Sequence, residues 1–363
     1  MITFIDLFAG IGGIRRGFEK AGMKCIGYCE ADKFAIQSYQ LIHDTDGEWF
    51  SDDIAKVKAS DIPKADILTF GFPCQDISVA GKQAGLEKGK RSSLFFKVME
   101  LVNECKENKP RFLVAENVRS LLSIENGRGF YKVLREMDRC GYDVEWCTYN
   151  TKDYGIPQNR CRLFIVGFLR GTCRGKVLPI PRKSESSCKQ VGNIVSSGNF
   201  NNPQRGRIYS VDGCCPTLNC VGGGGQEPKI VVPGMSDGGG TSFIDMTIGN
   251  AVLTDNARCI VSRYDRGLSD RNGLCSGVIE VKVDNIEFNK SQIRIRKLTP
   301  GECWRLQGFT QDDVDRVKHF VSNTQMYKQA GNAVTVNVAE EIGKALVAKI
   351  EEMKCKHEEN AVS

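Results

Sequence analysis

The stretch TFIDLFAGIGG at residues 3–13 joins an apolar run to a glycine-rich turn. The run Thr3–Phe8 is typical of a buried strand, and the apolar spacing in Ile14–Ala21 predicts a helix directly after the glycines. Glycines between a first strand and a helix let the backbone approach a ligand closely, although the spacing G-x-G-G lacks the rest of the dinucleotide fingerprint. We therefore expect an α/β fold with a nucleoside-binding turn. The alternative is a tight turn that only packs.

The same alternation of short strands and helical stretches continues to about residue 170. The further predicted strands are Cys25–Cys29, Ile67–Phe70, Phe112–Ala115, Val144–Thr148 and Leu163–Gly167. Strands that alternate with helices indicate a mostly parallel sheet covered on both faces. Ligands of such sheets lie beyond the carboxyl ends of the strands, where this chain places Glu30, Gly71-Phe72-Pro73 and Glu116.

The composition changes after about residue 174. Residues 175–300 hold 17 of the 38 glycines, and their 16 basic and 11 acidic side chains give +5 of the net charge of +6. Short strand-like pieces and little helical periodicity predict a smaller, β-rich and loop-rich domain at 175–295. Thr299-Pro300 is a helix-start signal, and Ile342, Leu346, Ile350 and Met353 form one stripe of a final helix over 334–353. We expect residues 296–363 to rejoin the first domain, residues 1–174.

The overall composition is that of an ordinary soluble globular protein. Hydrophobic residues make up 41% and charged residues 26% of 363 residues, which excludes disordered and collagen-like classes. The first residues lack a signal-peptide pattern and no run of 18 apolar residues occurs, so we expect a cytoplasmic protein with reduced thiols. The 16 cysteines include no paired C-x2-C spacing, which disfavours zinc, and we expect no metal.

One cysteine has an unusual setting. Cys74 follows a predicted strand end and a proline, and Glu116 follows a neighbouring strand, so a thiol and a carboxylate are expected at one edge of the sheet. Such a pair suits a nucleophile with an acid partner, although no nearby histidine supports a protease. A buried core thiol is the alternative interpretation of Cys74.

Taken in order, these motifs resemble those of the DNA cytosine-5 methyltransferase family along the whole chain. The segments that carry the resemblance are 6–13, Glu30, Asp53-Ile54, 71–75, 116–118, 158–162, 296–302 and 329–334. The region between Arg162 and Arg296 corresponds to the family's target-recognition domain. The resemblance implies a Rossmann-like methyltransferase domain with a β-rich recognition domain, in an enzyme of prokaryotic or phage type.

The resemblance also implies a catalytic set. Cys74 would add to C6 of a cytosine flipped out of the duplex, and Glu116 would hydrogen-bond N3 and the exocyclic amine. Arg162 would hold the O2 edge, and Arg160 would brace the site or bind a phosphate.

The implied methyl donor is S-adenosyl-L-methionine, with S-adenosyl-L-homocysteine as product. Phe8 and Ile54 would pack against adenine, Asp53 would bind its amine, and Glu30 would bind the ribose hydroxyls. The other expected pocket residues are Ala9, Gly10, Gly12, Gly13, Gly71, Pro73, Leu94, Asn332 and Val334. Ala31 stands where many relatives carry tryptophan, which leaves one side of the adenine pocket thinner.

Double-stranded DNA is the partner that the resemblance implies, with a cognate restriction endonuclease as a second partner of a monomeric enzyme. The expected DNA-binding residues are Gln75, Ser78, Arg205, Arg207, Thr217 and Leu218. The glycine-punctuated loop from Gln75 to about Lys90 is expected to close over DNA, and a plain surface loop is the alternative.

Three other functions fit parts of the pattern. A tRNA-methylating branch shares most of the motifs, but its Cys-Phe-Thr signature is absent from residues 175–295. An inactive DNA-binding relative is disfavoured because both Cys74 and Glu116 are present. A nicotinamide-dependent dehydrogenase is the most distant alternative.

Overall fold

A computed structural model describes residues 1–72, 93–172, 176–183, 190–193, 207–209, 214–218, 229–233, 243–248, 250–254 and 293–362. The strands of the first 170 residues are β1 (Thr3–Leu7), β2 (Lys24–Cys29), β3 (Trp49–Ser51), β4 (Ile67–Phe70), β5 (Phe112–Val118), β6 (Tyr142–Asn150), β7 (Gln158–Asn159) and β8 (Cys161–Leu169). All except β7 form one sheet, in the order β3-β2-β1-β4-β5-β8-β6.

The sheet is mostly parallel, as predicted. The pairs β3-β2, β2-β1, β1-β4 and β4-β5 are parallel, whereas β8 runs antiparallel to both β5 and β6. The antiparallel partner extends β5 to Val118, which pairs with Arg162, whereas β4 ends opposite Ala115. Glu116 therefore lies within a strand rather than after one.

Helices cover both faces of this sheet, and three further helices between residues 300 and 332 pack in a separate core around Trp304. They are α1 (Gly13–Lys20), α2 (Lys33–Ile42), α3 (Ser93–Glu104), α4 (Arg128–Arg139), α5 (Pro300–Arg305), α6 (Gln311–Val317), α7 (Asn323–Asn332) and α8 (Val336–Val362). Alternate strand residues point to opposite faces: Ile5 packs in the core with α3 and α4, whereas Phe4 packs in the core with α1 and α8.

Both helix predictions for the C-terminal part are confirmed. Thr299 caps α5 through a reciprocal box, in which Thr299 Oγ1 accepts from the Glu302 amide and Glu302 Oε2 accepts from the Thr299 amide. Helix α8 begins at Val336 and buries the predicted stripe against α1. The last helix therefore packs on the first.

The residues that the structure describes between 190 and 254 lie mostly in strands, in agreement with the prediction of a β-rich region. Its strands are β9 (Gln190–Asn193), β10 (Arg207–Tyr209), β11 (Cys215–Pro216), β12 (Lys229–Pro233), β13 (Phe243–Ile248), β14 (Asn250–Thr254) and β15 (Ile293–Lys297). Four of them form a sheet in the order β15-β12-β10-β9, and β11 pairs with β7. No helix occurs in the described ranges between residues 176 and 254.

Nine cysteines have side chains that the structure describes; all nine are free thiols, and six of them are buried. The same ranges hold no cluster of three or more potential metal ligands. No helix in them has the length and apolar character needed to cross a membrane.

Candidate functional site

The strand register lines up one row of residues at the carboxyl edge of the sheet. Leu7 pairs with both Cys29 and Phe70, and Phe70 pairs with Ala115. The residue that follows each member of this row belongs to the expected site: Phe8, Glu30, Gly71 and Glu116. The observed register therefore brings these four residues to one edge of the sheet, as predicted.

The glycine turn after β1 is fixed by its backbone. The Ala9 amide donates to the Cys29 carbonyl at 3.1 Å, and the Gly12 amide donates to the Ala9 carbonyl at 2.8 Å. Phe8, Gly10 and Gly12 have φ angles of 55°, 57° and 79°, in the left-handed region that glycine tolerates best. The half-buried Phe8 packs against the core while the turn rises above the sheet.

The turn is open on one side and closed on the other. A Cβ added to Gly10 would meet no atom within 4 Å, so free space lies above this residue. A Cβ at Gly12 would overlap the His43 ring, and a Cβ at Gly13 would overlap the Val334 carbonyl oxygen. Gly12 and Gly13 thus contact protein, whereas Gly10 faces open space.

Carboxylates stand beside this opening. Glu30 Oε2 accepts from the Gly10 amide at 2.7 Å, and its Oε1 accepts from the amides of Ala31 and Asp32 at 2.9 and 2.8 Å. These three donors fix the carboxylate while lone pairs remain for hydroxyl donors. Asp53 Oδ1 accepts from the Ala55 amide at 3.0 Å. The open glycine turn and the fixed carboxylate fit a nucleoside with free ribose hydroxyls.

The remaining expected pocket residues lie on several elements. Ile54 is buried in the core, and Leu94 on α3 packs against the same core. Gly71 leads toward Glu116, because a Cβ on it would lie 3.6 Å from Glu116 Oε2. Asn332 ends α7 on the surface. Pro73 lies outside the described residues.

Glu116 and Arg162 form an ion pair on neighbouring strands. Arg162 Nε lies 3.2 Å from Glu116 Oε1, and only 12% of the Glu116 side chain is exposed. Burial raises the pKa of Glu116, and the charges of Arg162 and Arg160 oppose this increase. The pair combines a carboxyl group that accepts a proton more readily than usual with a fixed cation.

Arg160 is buried rather than placed on the surface. It is 2% exposed. Its guanidinium donates to the carbonyls of Leu218, Gly331 and Ala333 at 3.2, 3.0 and 2.8 Å. Of its two expected roles, bracing the site matches these contacts, because the guanidinium joins two separate segments of backbone, one at Leu218 and one at residues 331–333.

A buried polar network that the sequence did not reveal continues from Arg160. Thr335 Oγ1 donates to Gln307 Oε1 at 2.9 Å and lies 3.0 Å from Thr151 Oγ1. Gln307 Nε2 donates to Gln158 Oε1 at 3.3 Å, and Thr151 Oγ1 donates to the Arg160 carbonyl at 3.2 Å. Glutamines and threonines are common on surfaces, so residue type gave no signal for this network.

Asp6 is a second group that the sequence did not single out. It is 1% exposed in β1 and accepts a 2.6 Å hydrogen bond from Thr69 Oγ1. Burial raises the pKa of Asp6 to about 7. A carboxyl group that titrates near neutral pH therefore lies beneath the glycine turn.

The expected DNA-binding residues differ in position. Thr217 Oγ1 donates to the Asn159 carbonyl at 2.6 Å, beside the strand pair β7-β11. Leu218 is 4% exposed and packs in the core around Trp304, which gives it a core contact rather than a surface position. Arg207 begins β10 and is half-buried. Cys74, Gln75, Ser78 and Arg205 lie outside the described residues.

The chain is similar in sequence and in fold to known DNA methyltransferases. Residues 2–348 match the family described as C-5 cytosine-specific DNA methylase. The type II methyltransferase M.SsoII of Shigella sonnei is 34% identical over 96% of this chain and 80% of the relative. M.DsaV of Dactylococcopsis salina is 32% identical over 96% and 87% of the two chains.

Solved structures agree in fold. The methyltransferase EhMeth of Entamoeba histolytica superimposes with a TM-score of 0.62 at 15% identity, covering 96% of this chain and 99% of that one. This likeness concerns the fold alone, whereas the family match spans nearly the whole chain. The chain belongs to the C-5 cytosine-specific DNA methylase family and is a DNA cytosine-5-methyltransferase.

Proposed function

We propose that the protein methylates C5 of one cytosine within a short double-stranded DNA sequence, through a covalent bond between Cys74 and C6. The observation that carries the proposal is the half-buried Glu116–Arg162 ion pair at the carboxyl edge of the sheet. It lies in the same row as the glycine turn after β1 and the end of β4, four residues before Cys74.

The pair matches the polar edge of cytosine. A protonated Glu116 donates to N3 and accepts from the exocyclic amine, and the raised pKa of Glu116 favours that protonation state. Arg162 donates to O2 and remains charged when the base is bound. Since a paired cytosine presents these atoms to guanine, the base must leave the duplex to reach the site.

Cys74 activates the ring. Its thiolate adds to C6, and the displaced electron pair makes C5 nucleophilic while N3 takes the proton of Glu116. After C5 has gained a methyl group, it loses its proton to a base, and the electrons of that C–H bond re-form the C5–C6 double bond. The C6–S bond breaks in the same step, the thiolate of Cys74 is released, and N3 returns its proton to Glu116.

When bound, S-adenosyl-L-methionine supplies an electrophilic methyl group. In this proposal Glu30 binds the ribose hydroxyls, Gly10 leaves room for the methionine part, and Asp53 binds the adenine amine. The fixed Glu30 carboxylate and the space above Gly10 support this assignment.

We further propose that residues 175–295 recognise the DNA sequence, between catalytic parts at 1–174 and 296–363. The β-rich middle strands and the excess positive charge of this region support the division. M.SsoII and M.DsaV are named type II methyltransferases, which supports a role in protecting DNA from a cognate restriction endonuclease. We also propose that the enzyme acts as a monomer in the cytoplasm.

A methylation assay with tritiated S-adenosyl-L-methionine tests the proposal. We expect label in duplex DNA and none in tRNA, while label in tRNA alone would show that the tRNA-methylating alternative is right. Bisulfite sequencing of DNA from cells that express the protein then identifies the modified cytosine.

Two variants test the mechanism in the same assay. We expect Cys74→Ala to abolish transfer and Glu116→Gln to lower kcat by about 10²- to 10⁴-fold, the usual contribution of a general acid. Cys105→Ala is the matched control, because Cys105 is a half-buried thiol at the end of α3, remote from the edge. Transfer by Cys74→Ala at the wild-type rate would exclude the covalent route.

A further inference from the structure

His43 occupies a buried position next to the glycine turn. It follows α2, and its side chain is 0% exposed. Its ring centroid lies 4.6 Å from that of Tyr39. The ring fills the space that Gly12 leaves, since a Cβ there would overlap it. None of the roles assigned above uses this residue.

The ring also makes a directed hydrogen bond to the turn. His43 Nε2 lies 3.2 Å from the Ile11 carbonyl oxygen. A carbonyl oxygen only accepts, so Nε2 must carry a proton. Burial and the charges of Arg15 and Arg16 lower the pKa of His43 well below its usual range. The ring is therefore neutral at physiological pH, with its proton on Nε2.

The turn is thereby held from two sides. Glu30 and the Cys29 carbonyl bind the amides of Gly10 and Ala9 on the side of the sheet. His43 binds the carbonyl of Ile11 on the side of α2. The opening above Gly10 lies between these attachments, so a displaced Ile11 would change its shape.

We propose that His43 is a positioning residue for cofactor binding. It holds the Ile11–Gly12 backbone in the conformation that accepts the nucleoside, and the His43 side chain does not contact the nucleoside. The inference rests on the proposed role of the glycine turn as the S-adenosyl-L-methionine site. It predicts an effect on cofactor affinity that is separate from any effect on DNA binding or on the chemical step.

The test compares three variants by calorimetric titration with S-adenosyl-L-homocysteine and by steady-state kinetics. His43→Phe keeps a ring but removes the donor, and we expect Kd and the KM for S-adenosyl-L-methionine to rise about tenfold, with kcat and the KM for DNA within twofold of wild type. His43→Gln restores an amide donor and should recover most of the affinity. Tyr39→Phe keeps the ring against Gly12 and removes a hydroxyl that binds Arg15 at 3.2 Å, so it should lower Tm alone.

An unchanged Kd for His43→Phe, or an equal loss of affinity in Tyr39→Phe, would overturn the proposal. If wild type binds no S-adenosyl-L-homocysteine, the proposed function fails instead, so the two failures are distinct. Should His43→Phe not fold, nitrogen-15 NMR of wild type decides. The signal of His43 is the histidine signal that the wild-type spectrum contains and the His43→Gln spectrum lacks. We expect this signal to show the Nε2–H form, and an Nδ1–H form would refute the proposal.

Discussion

Gly10 and Gly12 show how two similar residues in one turn can have different roles. Both have positive φ angles, yet a side chain at Gly12 would strike His43, whereas a side chain at Gly10 would enter open space. Gly12 is therefore required by the protein's own packing. Gly10 is required only if a ligand occupies that space.

The variant Gly10→Ala tests this distinction. We expect cofactor affinity to fall more than tenfold, because the added methyl group takes ligand space, while stability falls only by the cost of a left-handed alanine, about 1 kcal/mol. Gly22→Ala is the matched control: Gly22 has a φ of 88° and open surroundings outside the site. Calorimetric titration and thermal unfolding measure both effects, and equal affinity losses in the two variants would contradict the assignment of Gly10.

Asp6 predicts a pH dependence of stability. Its pKa rises to about 7 in the folded protein from an ordinary value of 3.8, so the folded state holds a proton that the unfolded state has lost between these values. The contribution of this proton to the free energy of unfolding is fully present below pH 3.8. It is lost as the pH rises through 7, and the total loss is about 4 kcal/mol.

Asp6→Asn should remove most of that dependence, because asparagine keeps the acceptor for Thr69 and does not ionise. The measurement is the free energy of urea unfolding at pH 5 and pH 8 for both proteins. The difference between the two pH values should shrink in Asp6→Asn, and an unchanged difference would show that Asp6 is not the titrating group.

At the scale of elements, the structure joins segments that are far apart in the chain. Gln158 lies in β7, Gln307 follows α5, and Thr335 precedes α8, yet they form one hydrogen-bonded network beside Arg160. Arg160 reaches both Leu218 and Ala333. The network thereby links the strand that bears Arg162 to the segment that contains Asn332 and Val334.

Thr335→Val tests the network with a side chain of the same shape. We expect a loss of about 1–3 kcal/mol, because Gln307 Oε1 is left without its donor in a buried site. Thr335→Ser keeps the hydroxyl and should cost less. Chemical unfolding of both variants provides the measurement, and equal stability of the two would show that methyl packing rather than the hydroxyl matters at residue 335.

At the scale of the whole molecule, the sequence predicted what depends on local pattern. The continuous apolar run Thr3–Phe8 marked β1 because that strand is buried along its length. The stripe Ile342–Leu346–Ile350 marked α8 because a helix that buries one face repeats apolar residues every three to four positions. The length of β5 depends on its antiparallel partner β8, which no local pattern reveals. Similarly, the burial of Arg160 and Leu218 follows from segments that meet only in the fold.

The sequence likewise predicted some residues of the site and missed others. Glu30 follows the last residue of β2, and Glu116 follows the last residue of β5 that pairs with β4. The parallel topology was therefore enough to bring them to one edge. His43 contacts the glycine turn, whereas Gln307 and Thr335 belong to the network beside Arg160. Their residue types are common in ordinary cores and surfaces. Contacts of this kind require coordinates.

Covalent trapping is the direct test of the bond between Cys74 and C6 of the target cytosine. The measurement is mass spectrometry of the protein after incubation with S-adenosyl-L-methionine and a duplex that carries 5-fluorocytosine at the methylated position. Fluorine replaces the C5 proton whose loss releases the cysteine, so the adduct should persist. We expect a DNA adduct of wild type on the peptide that contains Cys74, and none with Cys74→Ala. An adduct on another residue, or methylated product with no adduct, would contradict it.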